Sequence, residues 1–116
     1  MTEPVFVFGS NLAGRHGKGA ALWARKNRGA IYGQGIGMQG NSYAIPTKGF
    51  HIGTLPLPVI AEYVRGFLRY AASNPSTKFQ LTPIGCGLAG YKRSDIEPLF
   101  ANAPANVIWP PEWTTE

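Results

Sequence analysis

Apolar and polar positions change period several times along the chain, and each change marks an element. Pro4-Val5-Phe6-Val7-Phe8 is a continuous apolar run followed by Gly9-Ser10-Asn11. Such a run predicts a strand buried on both faces, as in the middle of a parallel sheet. From Gly19 the pattern becomes Ala20, Ala21, Leu22, Trp23, Ala24, Arg25, Lys26, rich in good helix formers, with Gly29 placed as a stop. Arg25, Lys26 and Arg28 suit the negative end of that helix. Ala30-Ile31-Tyr32 predicts a short strand, and Gly33, Gly35, Gly37 and Gly40 a loop. Ser42 to Pro46 predicts another strand, with a loop through Thr54 after it. Pro58 suits a first helical turn. Beyond it Val59, Ile60, Tyr63, Val64, Phe67, Leu68 and Ala71 recur at helical spacing. Asn74-Pro75 ends that helix.

Lys78 to Ile84 predicts a strand, and Gly85-Cys86-Gly87-Leu88-Ala89-Gly90 the loop after it. Ser94-Asp95-Ile96-Glu97 has capping-box spacing and predicts a helix start. Asn106 to Trp109 predicts a last strand, stopped by Pro110-Pro111. The order is strand, helix, two strands, helix, strand, helix, strand, which is an α/β layered domain. In such folds ligands sit at the carboxyl ends of the strands.

Composition narrows this further. The chain has 116 residues, enough for one domain spanning 1–116. Apolar residues make up 44% and charged residues 15%, which excludes a disordered tail. No apolar run approaches the roughly 20 residues of a membrane span. Met1-Thr2-Glu3-Pro4 lacks the basic start and apolar stretch of a signal peptide, so a cytoplasmic location is expected. A single cysteine excludes an internal disulfide framework. Glycine, at 15 residues, is about twice as frequent as in an average protein. The net charge of +5 favours anionic partners: nucleic acid, nucleotides or phosphates.

Two glycine-rich stretches connect a strand to a helix: Gly9 through Gly19, and Gly85 through Gly90. Glycine lets a ligand touch backbone, and successive N–H groups at a helix start hold phosphate. Tight turns alone would also explain them. A Walker loop is excluded because Gly17-Lys18 is followed by Gly19 rather than Ser or Thr. Gly35-x-Gly37-x-x-Gly40 and Gly85-x-Gly87-x-x-Gly90 match the dinucleotide fingerprint formally. The first leads into a strand, and the second has no acid about 20 residues on followed by the rest of a nucleotide-binding half, so a nicotinamide dehydrogenase is not expected.

Phe6-Val7-Phe8-Gly9-Ser10-Asn11, a glycine-rich loop and an Ala-rich helix together resemble the first binding loop of macrodomains. Tyr43-Ala44-Ile45-Pro46-Thr47-Lys48 resembles their central strand, and Leu81 through Tyr91 their second loop. The resemblance runs from residue 5 to about 109. It implies a short three-layer α/β/α mixed sheet with a pocket for ADP-ribose or a related nucleotide. The residues it implicates are Gly9, Ser10, Asn11, Gly17, Lys18 and Gly19 on the first loop, and Ile84, Gly85, Cys86, Gly87, Leu88, Ala89, Gly90 and Tyr91 on the second. Asn11 and Tyr91 would lie by the distal ribose, and the amides of Gly85 to Ala89 would face the diphosphate. Thr47-Lys48 and the Ile-Gly-Cys-Gly-Leu string are most similar to the terminal ADP-ribose glycohydrolase branch. There a lysine at the position of Lys48 attacks the ribose C1″, assisted by an aspartate where this chain has Ala89. No residue here matches the earlier strand and adenine-contacting acid of the family.

Other groups read more plainly. His16 and His51 stand 35 residues apart with no acidic partner, so no metal site is expected. His16, in the first loop, is a candidate for phosphate binding or acid–base work, and His51 for a place by the pocket. Cys86 has no base paired with it by any motif and reads as a small loop residue. Asp95 and Glu97 read as helix-start residues and Glu62 as surface, so paired-carboxylate chemistry finds no support. Trp23 and Trp109 read as core, while Trp113, in a Pro-rich end, is a candidate to cover a groove or a partner. Arg65 and Arg69 read as a basic surface stripe. The expected roles are therefore an ADP-ribosyl binder or glycohydrolase acting on modified protein or nucleic acid, a non-catalytic reader, or a basic nucleic-acid-binding module. No cofactor and no membrane partner are expected.

Overall fold

A computed structural model describes residues 3–114. Strand β1 covers Val5–Asn11 and helix α1 Gly19–Asn27. Strands β2 (Gly37–Gln39) and β3 (Ser42–Lys48) follow, then helix α2 (Leu57–Ala72) and strand β4 (Phe79–Leu81). A short helix α3 (Arg93–Ile96) runs into a 3-10 turn at Glu97–Phe100, before β5 (Val107–Ile108) and a last 3-10 turn at Pro111–Trp113. The five strands form one sheet in the order β2-β3-β1-β4-β5. β3, β1, β4 and β5 are parallel, and β2 is antiparallel at the edge.

The apolar run of β1 sits at the centre, as its two-faced hydrophobicity requires. Its alternation divides the core. Val5 and Val7 join Tyr43 and Ile45 of β3 beneath α2, where Ile60, Val64, Phe67 and Ala71 form the buried stripe. Phe67 is the hub, with ring centroids 5.0 Å from Tyr43 and 5.5 Å from Phe79. On the opposite face Phe8 and Ala44 pack against Ala21 and Ala24 of α1. Helices therefore cover both faces of the sheet. Among the described residues no helix is long and apolar enough to cross a membrane.

β3 carries a proline inside a non-edge strand. β2 pairs with β3 only from Ser42 to Ala44, so the missing N–H of Pro46 leaves no β2 acceptor unpaired. On the other side the β1 register shifts after Ser10↔Pro46, resuming at Asn11↔Lys48. Thr47 lies within this irregularity, and its hydroxyl donates to the Ser10 carbonyl at 3.3 Å.

Several expectations need correcting. Ala30-Ile31-Tyr32 is not a strand: Ala30 is buried under α1, but Ile31 and Tyr32 are exposed. The strand of that region is β2, within the glycine stretch, entered through Gly37 at φ 88°. β4 ends at Leu81 rather than Ile84, because Pro83 has no N–H to continue the ladder. The next helix begins at Arg93, and the Asp95 carboxylate accepts the Lys92 N–H at 3.1 Å. Trp113 is buried on Phe100 and Trp109, and Arg93 donates to its carbonyl. Trp23 is surface: it lies over Phe6 at 4.7 Å with Arg28 across its ring. Arg65 pairs with Glu62 one turn earlier, so the basic stripe on α2 is partly neutralised.

Candidate functional site

The carboxyl ends of β1, β3 and β4 open into a cleft of about 610 Å3, a size typical of small-molecule sites. Gly9, Ser10 and Asn11 form its floor, with Arg15, Gly17 and Lys18 on the first loop and Gly19, Ala20 and Ala21 at the start of α1. Thr47 and Lys48 enter from β3, and Thr82, Pro83, Ile84, Gly85, Gly87, Leu88 and Ala89 from the loop after β4. Tyr32 and Ile52 stand at the rim.

The glycines of this region divide into two kinds. Gly35 lies so close to the first loop that a Cβ there would come 2.2 Å from the Asn11 carbonyl oxygen. Gly14, at φ 72°, faces Gly33 and Gln34 so closely that a Cβ there would come 2.4 Å from their backbone atoms. These contacts clamp the loop onto the segment that precedes β2. Gly17 and Gly87, by contrast, face open space, with nothing within 4 Å of a built Cβ.

The clamp continues through polar groups. Ser10 donates to the Gly35 carbonyl. Asn11 turns its amide into its own loop, Nδ2 donating to the Arg15 carbonyl at 3.1 Å and Oδ1 accepting the Arg15 N–H at 2.9 Å. One N–H and one lone pair remain for a ligand. His16 is fully buried beneath the loop. Its Nε2 faces two acceptors, the Gln34 carbonyl at 2.9 Å and Gln39 Oε1 at 3.1 Å, so Nε2 carries the hydrogen. His16 is thus a strut and does not line the cleft.

Backbone amides supply the polar lining. Helix α1 has no side-chain cap and no acid in its first turn. The N–H groups of Lys18, Gly19, Ala20 and Ala21 have no partner among the described residues. The same holds for Gly85, Gly87, Leu88 and Ala89 on the second loop. The charged side chains of the cleft are Arg15, Lys18 and Lys48, none of them in an ion pair, and no carboxylate lines it among the described residues. An uncapped helix start, a run of free amides and unpaired cations together favour an anion.

Three candidates of the second loop stand apart. Cys86 donates its N–H to the Pro83 carbonyl at 3.2 Å and packs toward the core. Burial pushes its thiol pKa up, and the charge of Asp95 adds to the rise, which disfavours thiolate chemistry. Gly90 closes a turn onto Gly87. Tyr91 donates its hydroxyl to the Leu55 carbonyl at 2.6 Å and packs on the α2 side. None of the three lines the cleft. His51 is exposed and also outside it. No cluster of metal-ligating side chains occurs among the described residues.

Sequence reasoning missed Arg15, Ala20, Ala21, Tyr32, Thr47, Ile52, Thr82 and Pro83 as lining residues. Arg15, inside the first glycine loop, carried a usable signal. Tyr32 and Ile52 carried none, since each reaches the cleft from a turn whose course only the fold sets.

The chain matches no family model and no curated protein. Its fold has a counterpart among solved structures. A protein of unknown function from Bacteroides thetaiotaomicron superimposes with a TM-score of 0.63 over 95% of this chain and 89% of that one, at 16% identity. At that identity the likeness shows the fold alone.

Proposed function

We propose that this chain is a short macrodomain-like module that binds ADP-ribose or a related ADP-ribosyl nucleotide in the cleft between its two glycine-rich loops, in a cytoplasmic setting. The carrying observation is the pairing of two sets of unpartnered amides, those of Lys18 to Ala21 and those of Gly85, Gly87, Leu88 and Ala89, around one cleft that holds cations and, among the described residues, no carboxylate. A diphosphate needs dispersed N–H donors and positive charge, and the ribose needs backbone within reach. Gly17 and Gly87 leave that reach open. The resemblance of β1, β3 and the loop after β4 to macrodomain segments supplies the ligand's identity.

Hydrolysis is a second reading, favoured by Lys48. It is the cleft amine at the end of β3 and has no ion-pair partner among the described residues. In this reading its Nζ lone pair forms a bond to ribose C1″ as the bond to the modified macromolecule breaks. The departing group takes the proton that Nζ sheds on forming the C–N bond, since no carboxylate lines the cleft among the described residues. Water then releases the ribose from the amine.

Calorimetric titration with ADP-ribose, with AMP and NAD as controls, tests the binding reading. Micromolar binding of ADP-ribose, well tighter than AMP, is expected, and no heat from any of the three overturns it. Product formed from ADP-ribosylated protein or DNA, and lost on Lys48→Ala with the fold intact, separates the hydrolase from a reader. A nucleic-acid binder would instead show affinity that falls steeply with salt and is indifferent to free ADP-ribose.

A further inference from the structure

Ile52 is the one non-glycine residue with a positive φ, at 67°, among the described residues. A β-branched side chain in the left-handed region is a real outlier, and strain of this kind persists where the surroundings impose it or function requires it. The turn around it is closed by ordinary bonds, the Ile52 N–H to the Gly49 carbonyl at 3.0 Å and the Gly49 N–H to the Gly53 carbonyl at 2.8 Å. Glycine or asparagine would close the same turn without strain. Packing does not explain the choice either. The side chain is 42% exposed and belongs to neither core cluster. What Ile52 does is line the cleft.

It has a neighbour of the same kind. Leu88, 68% exposed, also lines the cleft. The two turns are tied, because the Thr54 hydroxyl donates to the Ala89 carbonyl at 2.9 Å. Ile52 lies two residues from one end of that bond and Leu88 one residue from the other. An apolar rim therefore borders a cleft whose remaining groups suit an anion.

We propose that Ile52 is a specificity-determining residue, held in its strained turn so that it and Leu88 cover a flat, weakly polar ring of a nucleotide ligand. Phosphate and sugar gain little from aliphatic contact, whereas a heterocyclic ring gains from burial against it. The inference rests on the nucleotide-binding reading and adds the part of the ligand that this rim selects.

The test uses the full chain with Ile52→Asn, Ile52→Val and Leu88→Ala, titrated with ADP-ribose, AMP, NAD and inorganic pyrophosphate, with melting measured in parallel. Asparagine tolerates the left-handed turn, so Ile52→Asn is expected to melt no lower than wild type. Its affinity for the ring-bearing ligand falls about 10-fold, and its affinity for pyrophosphate stays unchanged. Leu88→Ala repeats the selective loss, and Ile52→Val keeps most of the affinity. Unchanged ADP-ribose affinity in Ile52→Asn overturns the inference and leaves the binding reading standing. A joint fall in melting temperature and in all affinities makes Ile52 a structural prop and overturns it too. Wild-type binding of AMP or NAD but not ADP-ribose, weakened by Ile52→Asn, removes the ADP-ribose reading and upholds the rim. No wild-type binding of any ring-bearing ligand overturns both.

Discussion

Gly35 and Gly17 are the same residue type in the same corner of the fold, and they do opposite things. Gly35 is glycine because the first loop lies against it at backbone distance, where a Cβ would overlap the Asn11 carbonyl. Gly17 has open cleft where its side chain would be. One removes a side chain so that the protein can pack on itself, and the other so that something else can approach. A glycine-rich loop is therefore a mixture of clamp and aperture, and binding capacity belongs to the aperture alone.

The sharpest break between the two kinds comes from adding one methyl group. Gly35→Ala forces the clamp apart and is expected to cost about 3 kcal/mol of stability, the upper range for overpacking, read as a lowered denaturant midpoint. Gly17→Ala and Gly87→Ala are expected to leave stability within about 1 kcal/mol, since neither has a positive φ or a neighbour to strike. Their ADP-ribose affinity is expected to fall about 10-fold or more by titration, because the methyl group occupies ligand space. Equal stability losses at positions 35 and 17 would erase the distinction.

A smaller effect concerns the charges of the aperture. Arg15→Ala removes an exposed cation with no ion-pair partner among the described residues, so folding is untouched and affinity for an anionic ligand falls by about 1 kcal/mol, with a shallower dependence on salt. The smallest effect is on Cys86, beside the open Gly87 but turned to the packed side. Its pKa is raised by burial and then by Asp95, so the neutral thiol persists to higher pH than in a free cysteine. Alkylation at pH 7.5, followed by mass spectrometry, is expected to run slower than for a free thiol and to accelerate only at more alkaline pH. Rapid reaction at neutral pH would place Cys86 with the aperture.

The order of elements was legible in the residues because it rests on strong periods: the two-faced run of β1, the stripe from Ile60 to Ala71, the stop at Asn74-Pro75. β2 was not, since three residues entered through a glycine carry too little period to register, while Ile31 and Tyr32 have strand-forming side chains on an exposed turn. Both halves of the cleft were legible as glycine loops after strands. Which glycines serve packing was not, because Gly35 and Gly17 differ only in what lies across from them. His16 looked like a loop group with free chemistry, yet the glutamines that bury it, Gln34 and Gln39, come from a segment 18 and 23 residues away. The strain at Ile52 is invisible in principle, since isoleucine advertises the opposite conformation.

The place of β1 at the middle of the sheet also sets a timetable. Of the five strands synthesis delivers this one first, but Phe6 must wait for Ser42 and Val5 for Phe79 before its two sides are paired. At roughly 5–20 residues per second the most apolar strand waits several seconds on the ribosome without its partners. Until β4 emerges, Phe6 and Phe8 depend on α1, which follows β1 directly in the chain. The sequence-distant parallel pairings mark the chain as a slow folder for its size, with its risk of aggregation concentrated in that interval.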